Sequence, residues 1–110
     1  MAVKRGQDFQ ATNTIESATS VTIKAAITTC NYTITEIVIS IYAFQDTGTL
    51  ALNDGTTTYF GPWLCKDGNG HTIVLRFKDG FTWGKGKAII VTVATAAVKA
   101  RVTVKGFMNS

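Results

Sequence analysis

The middle of this chain, residues 50–81, consists of short β-branched and apolar runs separated by Gly, Asn and Asp. Asp54-Gly55 follows the first of these runs, and Asp67-Gly68 follows a later one. Asp-Gly pairs suit tight hairpin turns because Gly adopts the positive φ that such turns require. Gly61-Pro62 adds a further break, since Pro cannot donate to a strand ladder. This stretch therefore predicts antiparallel strands joined by tight turns.

Period-two alternation, which is typical of half-buried strands, continues on both sides of this stretch. No segment shows helical periodicity with capping residues. The spacing of the apolar runs fits a β-sandwich or a β-barrel. The predicted strands cover residues 20–27, 32–44, 49–52, 56–60, 63–66, 71–77, 88–93 and 98–107.

The strongest predicted strand, residues 32–44, changes phase partway along. Tyr32 and Ile34 share one parity, whereas Ile37, Ile39 and Ile41 share the other. The switch at residues 35–36 predicts a bulge or a bend. Residues 37–42 are apolar on nearly both faces, which predicts a central strand or one whose outer face is covered by a partner.

Outside the strands, two segments carry their own expectations. Residues 1–14 are polar without clear periodicity and are expected to form an N-terminal arm with at most a short strand at 8–11, followed by a single β-sandwich domain at 15–110. The first ten residues hold no apolar segment, so no secretory signal is expected there. Residues 78–87 are expected to form a Gly-rich loop.

Composition favours a surface that packs against other molecules. Charged residues make up 16% of the 110 residues, against roughly 25% in typical soluble domains. We expect part of the surface to contact copies of the chain or a larger assembly; a Thr-rich monomer is the alternative. The net charge is +4, but the basic residues are scattered, which does not favour nucleic acid as a partner. No apolar run approaches the roughly 18 residues that cross a membrane, and no membrane partner is expected.

No arrangement of residues predicts a reaction, so the chain is not expected to be an enzyme. His71 lies near Cys65 and Asp67 in sequence, but a catalytic pair needs a third group that orients the base. One His and two separated Cys fall short of four zinc ligands, and no cofactor or metal is expected. Cys30 and Cys65 are interpreted as two half-buried thiols, with a single disulfide as the open alternative.

The aromatic residues provide the candidate contact site. Phe60 and Phe81 are interpreted as core residues at strand ends. Tyr59, Trp63 and Trp83 are the candidates for contact with another subunit or with a ligand, and Trp83 is favoured. Exposed aromatics on one face stack on sugar rings or bases, so a carbohydrate-binding module is the alternative function, with a nucleic-acid binder ranked below it.

With these residues identified, residues 20–107 resemble small phage virion proteins that decorate or cement capsids. Those proteins are jelly-roll β-sandwiches, similar to the tumour-necrosis-factor-like fold. The resemblance implies an all-β, single-domain antiparallel sandwich of about eight strands. It rests mostly on turn residues: Asp54-Gly55, Gly61-Pro62, residues 68–70, Phe77, Gly80-Phe81, residues 86–88 and Gly106-Phe107.

The resemblance also implies a function. The chain is expected to be a virion structural protein on the capsid surface, acting by oligomerisation and packing. Its expected partners are copies of itself and a major capsid protein or another virion protein. Members of this group often assemble as trimers, which implies a homotrimer here. The resemblance carries over no binding residues, because such proteins contact their capsids through surfaces that vary.

Overall fold

Eight strands and no helix make up the part of the chain that the computed structural model describes, residues 5–43, 48–65, 71–94 and 98–109. The side chains of residues 5–7, 43, 63–65, 71 and 109 lie outside this description. The strands are β1 Arg5–Ile15, β2 Ser20–Lys24, β3 Asn31–Ala43, β4 Gly48–Asn53, β5 Thr58–Cys65, β6 His71–Thr82, β7 Ile89–Val93 and β8 Lys99–Asn109.

The strands form two four-stranded antiparallel sheets that pack as a sandwich. One sheet has the order β1-β8-β3-β6, which we call sheet I, and the other has the order β2-β7-β4-β5, called sheet II. Consecutive strands lie in different sheets, except for the β4–β5 hairpin within sheet II, and this order of eight strands is that of a jelly roll. The predicted all-β jelly-roll sandwich is thereby confirmed. β3 is a central strand, as its apolar sequence predicted.

The core lies between the sheets and follows the period-two pattern of the strands. In β7, Ile89, Val91 and Val93 are buried while Ile90 and Thr92 are half-buried on the outer side. β4 alternates in the same way. A side chain of this kind contributes roughly 1.5–3 kcal/mol when it is fully buried. The core side chains with no exposed surface are Ile15, Ile34, Ile37, Ile39, Leu50, Leu52, Ile89, Val91, Val98, Ala100, Val102 and Val104.

The phase change in β3 is confirmed as a register shift. Along the β3–β8 ladder, Ile34 pairs with Gly106 and Glu36 pairs with Lys105, so Thr35 is an extra residue. The β3–β6 ladder shifts between the same two residues of β3. This extra residue allows Ile34 and Ile37, three positions apart, both to face the core.

The N-terminal segment differs from the expected arm. β1 runs from Arg5 to Ile15 and pairs with β8 along most of its length, with a register shift between Arg5 and Asp8. Phe9, Ala11 and Ile15 face the core, so residues 5–14 are part of the sandwich. Gln10, Thr12 and Thr14 alternate with them on the outer side of this edge strand, whereas Asn13 interrupts the apolar parity, and this is why the periodicity was weak.

β5 and β6 both continue through positions where the sequence predicted a break or a loop. β5 continues through Gly61-Pro62, where the peptide bond is cis, instead of breaking into two strands. It is an edge strand, so Pro displaces no ladder bond on its open side, and the β4–β5 register shifts there between Leu50 and Leu52. β6 extends to Thr82 through an irregular segment with Gly80 at positive φ, so the expected loop at 78–87 begins later. The turn predicted at 67–70 lies outside the described residues.

Candidate functional site

Aromatic rings fill one end of the sandwich, between β5, β6 and the segment after β6. Tyr59 lies with its ring centroid 4.3 Å from that of Trp83. Phe81 contacts both Tyr59 and Phe60, at centroid distances of 5.6 and 4.9 Å. Phe77 lies 5.4 Å from Phe60. The rings meet at tilted or edge-on angles, which the quadrupoles of aromatic rings favour.

Trp83 lies inside this end cluster. Its side chain is 1% exposed, and its Nε1 donates a hydrogen bond of 2.8 Å to the carbonyl oxygen of Ala88. Its backbone N–H donates to the carbonyl oxygen of Tyr32. The indole is therefore a core group of the subunit, and a contact between Trp83 and a second molecule requires local rearrangement. This differs from the surface position expected from its Gly-flanked sequence.

Tyr59 is half-buried and is held by the Asp54 carboxylate. The Tyr59 hydroxyl donates to Asp54 Oδ2 at 3.0 Å, while Asp54 Oδ1 accepts from the backbone N–H groups of Thr56 and Thr57. The Thr57 hydrogen bond is the largest cause that holds the pKa of Asp54 below its ordinary value. Burial, and then the hydrogen bond to Asp54, raises the pKa of Tyr59. The Asp-Gly turn predicted at Asp54 is thus confirmed, with Gly55 at φ 94°.

The lowered pKa of Asp54 predicts a specific pH dependence of stability. A carboxyl whose folded pKa is depressed stabilises the fold above its ordinary pKa of 3.8, and this contribution is lost as the pH falls through the folded value. In Asp54→Asn the amide oxygen still accepts from the turn, but the charge is gone. We expect the free energy of unfolding of the variant to lie below that of the parent at neutral pH, and the gap to narrow below about pH 4.

Urea denaturation of both proteins across the acid range measures this gap. Asp79→Asn, which removes an exposed carboxylate from β6, controls for the change in net charge. If the free energies of unfolding of Asp54→Asn and the parent differ by the same amount at every pH, Asp54 does not make the pH-dependent contribution assigned to it.

The structure describes less of the other candidate residues. Trp63 lies opposite Leu50 in the β4–β5 ladder, but the side chains of Trp63, Cys65 and His71 lie outside the description. Cys30 is a half-buried free thiol. Within the described ranges no three His, Cys, Asp or Glu side chains converge on a metal-sized site, and no helix has the length and apolar character needed to span a membrane.

The outer face of sheet I is charged and rich in hydroxyl groups. Arg101 and Lys105 project from β8, with Thr103 between them bonded to Thr12 at 3.0 Å. Arg76 of β6 lies 4.0 Å from Glu36 of β3. Because Arg76 is 77% exposed, this ion pair contributes little to stability. The face is suited to contact with water.

The outer face of sheet II differs sharply, because no charged group is found among its described side chains. Asn53 donates to Thr92 at 2.9 Å near its centre. Lys24 is withdrawn from the face by a register shift, lies opposite Ile89, and places its ammonium 5.5 Å from the Phe9 ring. The outward side chains are Ser20, Thr22, Thr49, Ala51, Asn53, Thr58, Ile90 and Thr92.

The four edge strands also differ from one another. β1 is polar and tied to β2 by the hydrogen bond from Asn13 Nδ2 to the carbonyl oxygen of Thr22. β2 is short, and β5 carries Pro62 and a register shift. β6 alone combines a regular ladder, Glu36 to Ile41 against Arg76 to His71, with exposed apolar surface at Val74.

Sequence reasoning missed both the uncharged face and the β6 edge. The signal for the face was present: residues 49–58 and 88–94 contain no charged residue apart from the turn carboxylate, Asp54. The low charge of these segments predicts an uncharged face only once it is known that they share a sheet. The position of β6 at an edge depends on strand order, which the sequence does not encode locally.

Comparisons with known proteins identify similar folds but no family. No protein-family model matches this chain, and neither does any curated protein. The chain is similar to a chain in the capsid asymmetric unit of cyanophage Pam1, with a TM-score of 0.55, 15% identity, and coverage of 92% of this chain and 83% of the other. It is also similar to a chain in the acid-stable capsid of Helicobacter pylori bacteriophage KHP30, with a TM-score of 0.56, 14% identity, and coverage of 96% and 91%.

These likenesses cover nearly the whole sandwich in both directions. At such low identity they show that the chain shares its fold with proteins found in phage capsids. The fold implied by the resemblance in the sequence is therefore confirmed by independent structures, and residue roles do not carry over from them.

Proposed function

We propose that this chain is a structural subunit of a bacteriophage virion, and specifically a decoration or cement subunit that packs on the capsid surface as a homo-oligomer. The jelly-roll fold, shared with chains of two phage capsids, supports a place in a virion. The observation that carries the more specific proposal is the contrast between the outer faces of the two sheets.

A cement subunit needs one surface for water and another for the shell. The outer face of sheet I supplies charged and hydroxyl groups, including Arg101 and Lys105, that remain hydrated. The outer face of sheet II holds hydroxyl, amide and aliphatic groups, so a partner covering it buries no unpaired charge. Burying a lone charge costs several kcal/mol, and core positions of interfaces are depleted in charged residues for this reason. We therefore place the shell contact on sheet II.

Packing on a repeating shell also explains how a contact surface as small as the outer face of sheet II can hold the subunit in place. The outer face of sheet II is about 20 Å along its strands and about 15–20 Å across them, from the usual rise and spacing of strands. A stable pairwise interface buries roughly 800 Å² on each partner, more than this face provides. Oligomers that make several such contacts at once gain avidity without any one contact being strong.

The alternative of a carbohydrate-binding module gains no support from the described residues. Phe60, Phe77, Phe81 and Trp83 contact one another within the end cluster instead of forming a flat platform. Tyr42 is the aromatic with the largest described exposure, 49%, and its hydroxyl donates to Glu16. We do not propose sugar binding.

Charge insertion into the face of sheet II tests the proposal. Ala51→Lys places a cation near the centre of this face, and we expect it to weaken binding to phage shells stripped of the protein by about tenfold or more. Binding is measured by co-sedimentation of the purified protein with the shells.

Thr103→Lys is the matched control, because Thr103 is also half-buried and outward on a central strand, but on the outer face of sheet I. It should bind like the parent, and both variants should keep the parent's thermal midpoint within a few degrees. Equal binding by Ala51→Lys and the parent, or failure of the parent to bind any shell, overturns the proposal.

A further inference from the structure

The first half of β6 is an edge strand without the usual protection. Natural edge strands avoid unwanted pairing through charges, Pro, bulges or short length. From His71 to Arg76, β6 pairs with β3 without a register shift, and Arg76 is its one charged residue. Val74, at its centre, is 46% exposed and lies opposite half-buried Val38. The segment offers a regular row of backbone N–H and C=O groups on its open side, flanked by the apolar side chains of residues 73–75.

The two inward side chains of this segment, Ile73 and Leu75, are only half-buried, and a further strand would complete their burial. Ile73 and Leu75 face the core but retain exposed surface because β6 is the last strand of sheet I among the described residues. Their counterparts Ile37 and Ile39 on β3, which has neighbours on both sides, are fully buried. A strand added beside β6 would cover Ile73, Leu75 and the flank of Val74.

The sequence of β6 is complementary to itself in one antiparallel register. Residues directly opposite each other in an antiparallel pair lie on the same sheet face, so a two-fold axis must pass between two identical residues. Centring the axis on Val74 places Val74 opposite Val74 of a second copy, Ile73 opposite Leu75, and Thr72 opposite Arg76. Apolar groups then meet apolar groups, and Arg76 meets a hydroxyl and not another cation. Centring on Leu75 instead sets Val74 against Arg76.

We propose that two copies of this chain pair antiparallel through β6 about a two-fold axis at Val74, joining their four-stranded sheets into one continuous eight-stranded sheet. A second copy fits better than an unrelated peptide because each residue of the segment finds a suitable partner in the same segment. Two-fold pairing is also closed, since it leaves neither β6 edge open for further addition. This inference rests on the self-association in the proposed function and names the surface that performs it.

Cysteine cross-linking reads the register directly. In a background with Cys30→Ala and Cys65→Ala, Val74→Cys should be captured as a dimer by a short bifunctional maleimide, because opposite Cβ atoms lie about 4.5–5.5 Å apart. Thr72→Cys alone should not be captured, since its two copies are four residues, about 14 Å, apart along the strands. A mixture of the separate variants Thr72→Cys and Arg76→Cys should restore capture. All three positions are outward-facing, so their substitution leaves the core intact.

Sedimentation velocity of the otherwise native chain gives a second measure. Val74→Lys sets like charges opposite each other across the axis, and we expect the dissociation constant for self-association to rise about tenfold or more. Thr12→Lys, an exposed substitution on the opposite edge strand β1, should leave it unchanged.

The outcomes separate the two proposals. A parent that self-associates while Val74→Cys resists capture, or while Thr72→Cys alone is captured as readily, overturns the β6 pairing and leaves the virion role standing. A parent that binds shells yet stays monomeric at every concentration also overturns the β6 pairing and leaves the virion role standing. A parent that neither self-associates nor binds shells overturns both.

Discussion

Trp83→Ala is expected to lower the free energy of unfolding by about 3–5 kcal/mol, the range for removing a large buried aromatic side chain. Trp83 is 1% exposed and contacts Tyr59, Phe60 and Phe81. Truncation leaves a cavity at the end of the sandwich and leaves the carbonyl oxygen of Ala88 without its indole donor. Equilibrium urea denaturation followed by far-ultraviolet circular dichroism measures the change. The total free energy of unfolding of a small domain is about 5–15 kcal/mol, so the variant should be close to the limit of folding.

Trp83→Phe separates the two contributions. It keeps an aromatic ring in the cluster but removes the hydrogen bond to Ala88, and we expect a loss of about 1–3 kcal/mol. A loss of under about 1 kcal/mol for Trp83→Ala would show that the indole is not a core group, and would return Trp83 to the surface role expected from sequence.

Gly106→Ala is expected to destabilise the protein by about 3 kcal/mol or more, at the upper end of what overpacking causes. A Cβ at position 106 would lie 2.1 Å from the carbonyl oxygen of Thr33 and 3.0 Å from the Cα of Ile34. Both atoms belong to the backbone of β3, which is paired on both sides and has little freedom to move. The thermal midpoint and urea midpoint should both fall.

Gly84→Ala is the matched control for this substitution. Its Cβ would approach the Tyr59 hydroxyl at 3.0 Å and the Lys87 Cγ at 3.1 Å, which are side-chain atoms at a longer distance and not the backbone of a paired strand. We expect a change of under about 1 kcal/mol. A loss for Gly106→Ala as small as the one expected for Gly84→Ala would mean that the close approach of β3 and β8 near Thr33 is not rigid.

Local patterns predicted much of the fold. The parity of Tyr32 and Ile34 against Ile37 was enough to locate the irregularity in β3, because a side chain's face follows from counting residues. Asp54-Gly55 predicted its turn, since few residues other than Gly tolerate φ near 94°.

The errors occurred where tertiary contacts override local signals. β1 was expected as an arm because its exposed residues are polar, although Phe9, Ala11 and Ile15 keep the parity of a strand. Flanking glycine and threonine favoured an exposed loop around Trp83, whereas the spacing from Phe81 to Trp83 matches two residues on one strand face. That spacing was the available signal for a shared core position.

The candidate site depended still more on information absent from single segments. The uncharged outer face of sheet II collects residues from strands far apart in the chain, such as Thr22 and Ile90, which are neighbours only through the β2–β7 ladder. The exposure of Val74 follows from the place of β6 at the end of sheet I. No composition measure reports either property.

The extra residue in β3 has a consequence for changes in chain length. Because Thr35 occupies no position of its own in the β3–β8 ladder, deleting it removes no inward side chain and leaves Ile34 and Ile37 at the two-residue spacing of a regular strand. Deleting a residue between 37 and 41 would instead exchange the inner and outer sides of everything on one side of the gap. Natural variants or engineered versions that differ by one residue in β3 should therefore differ at position 35.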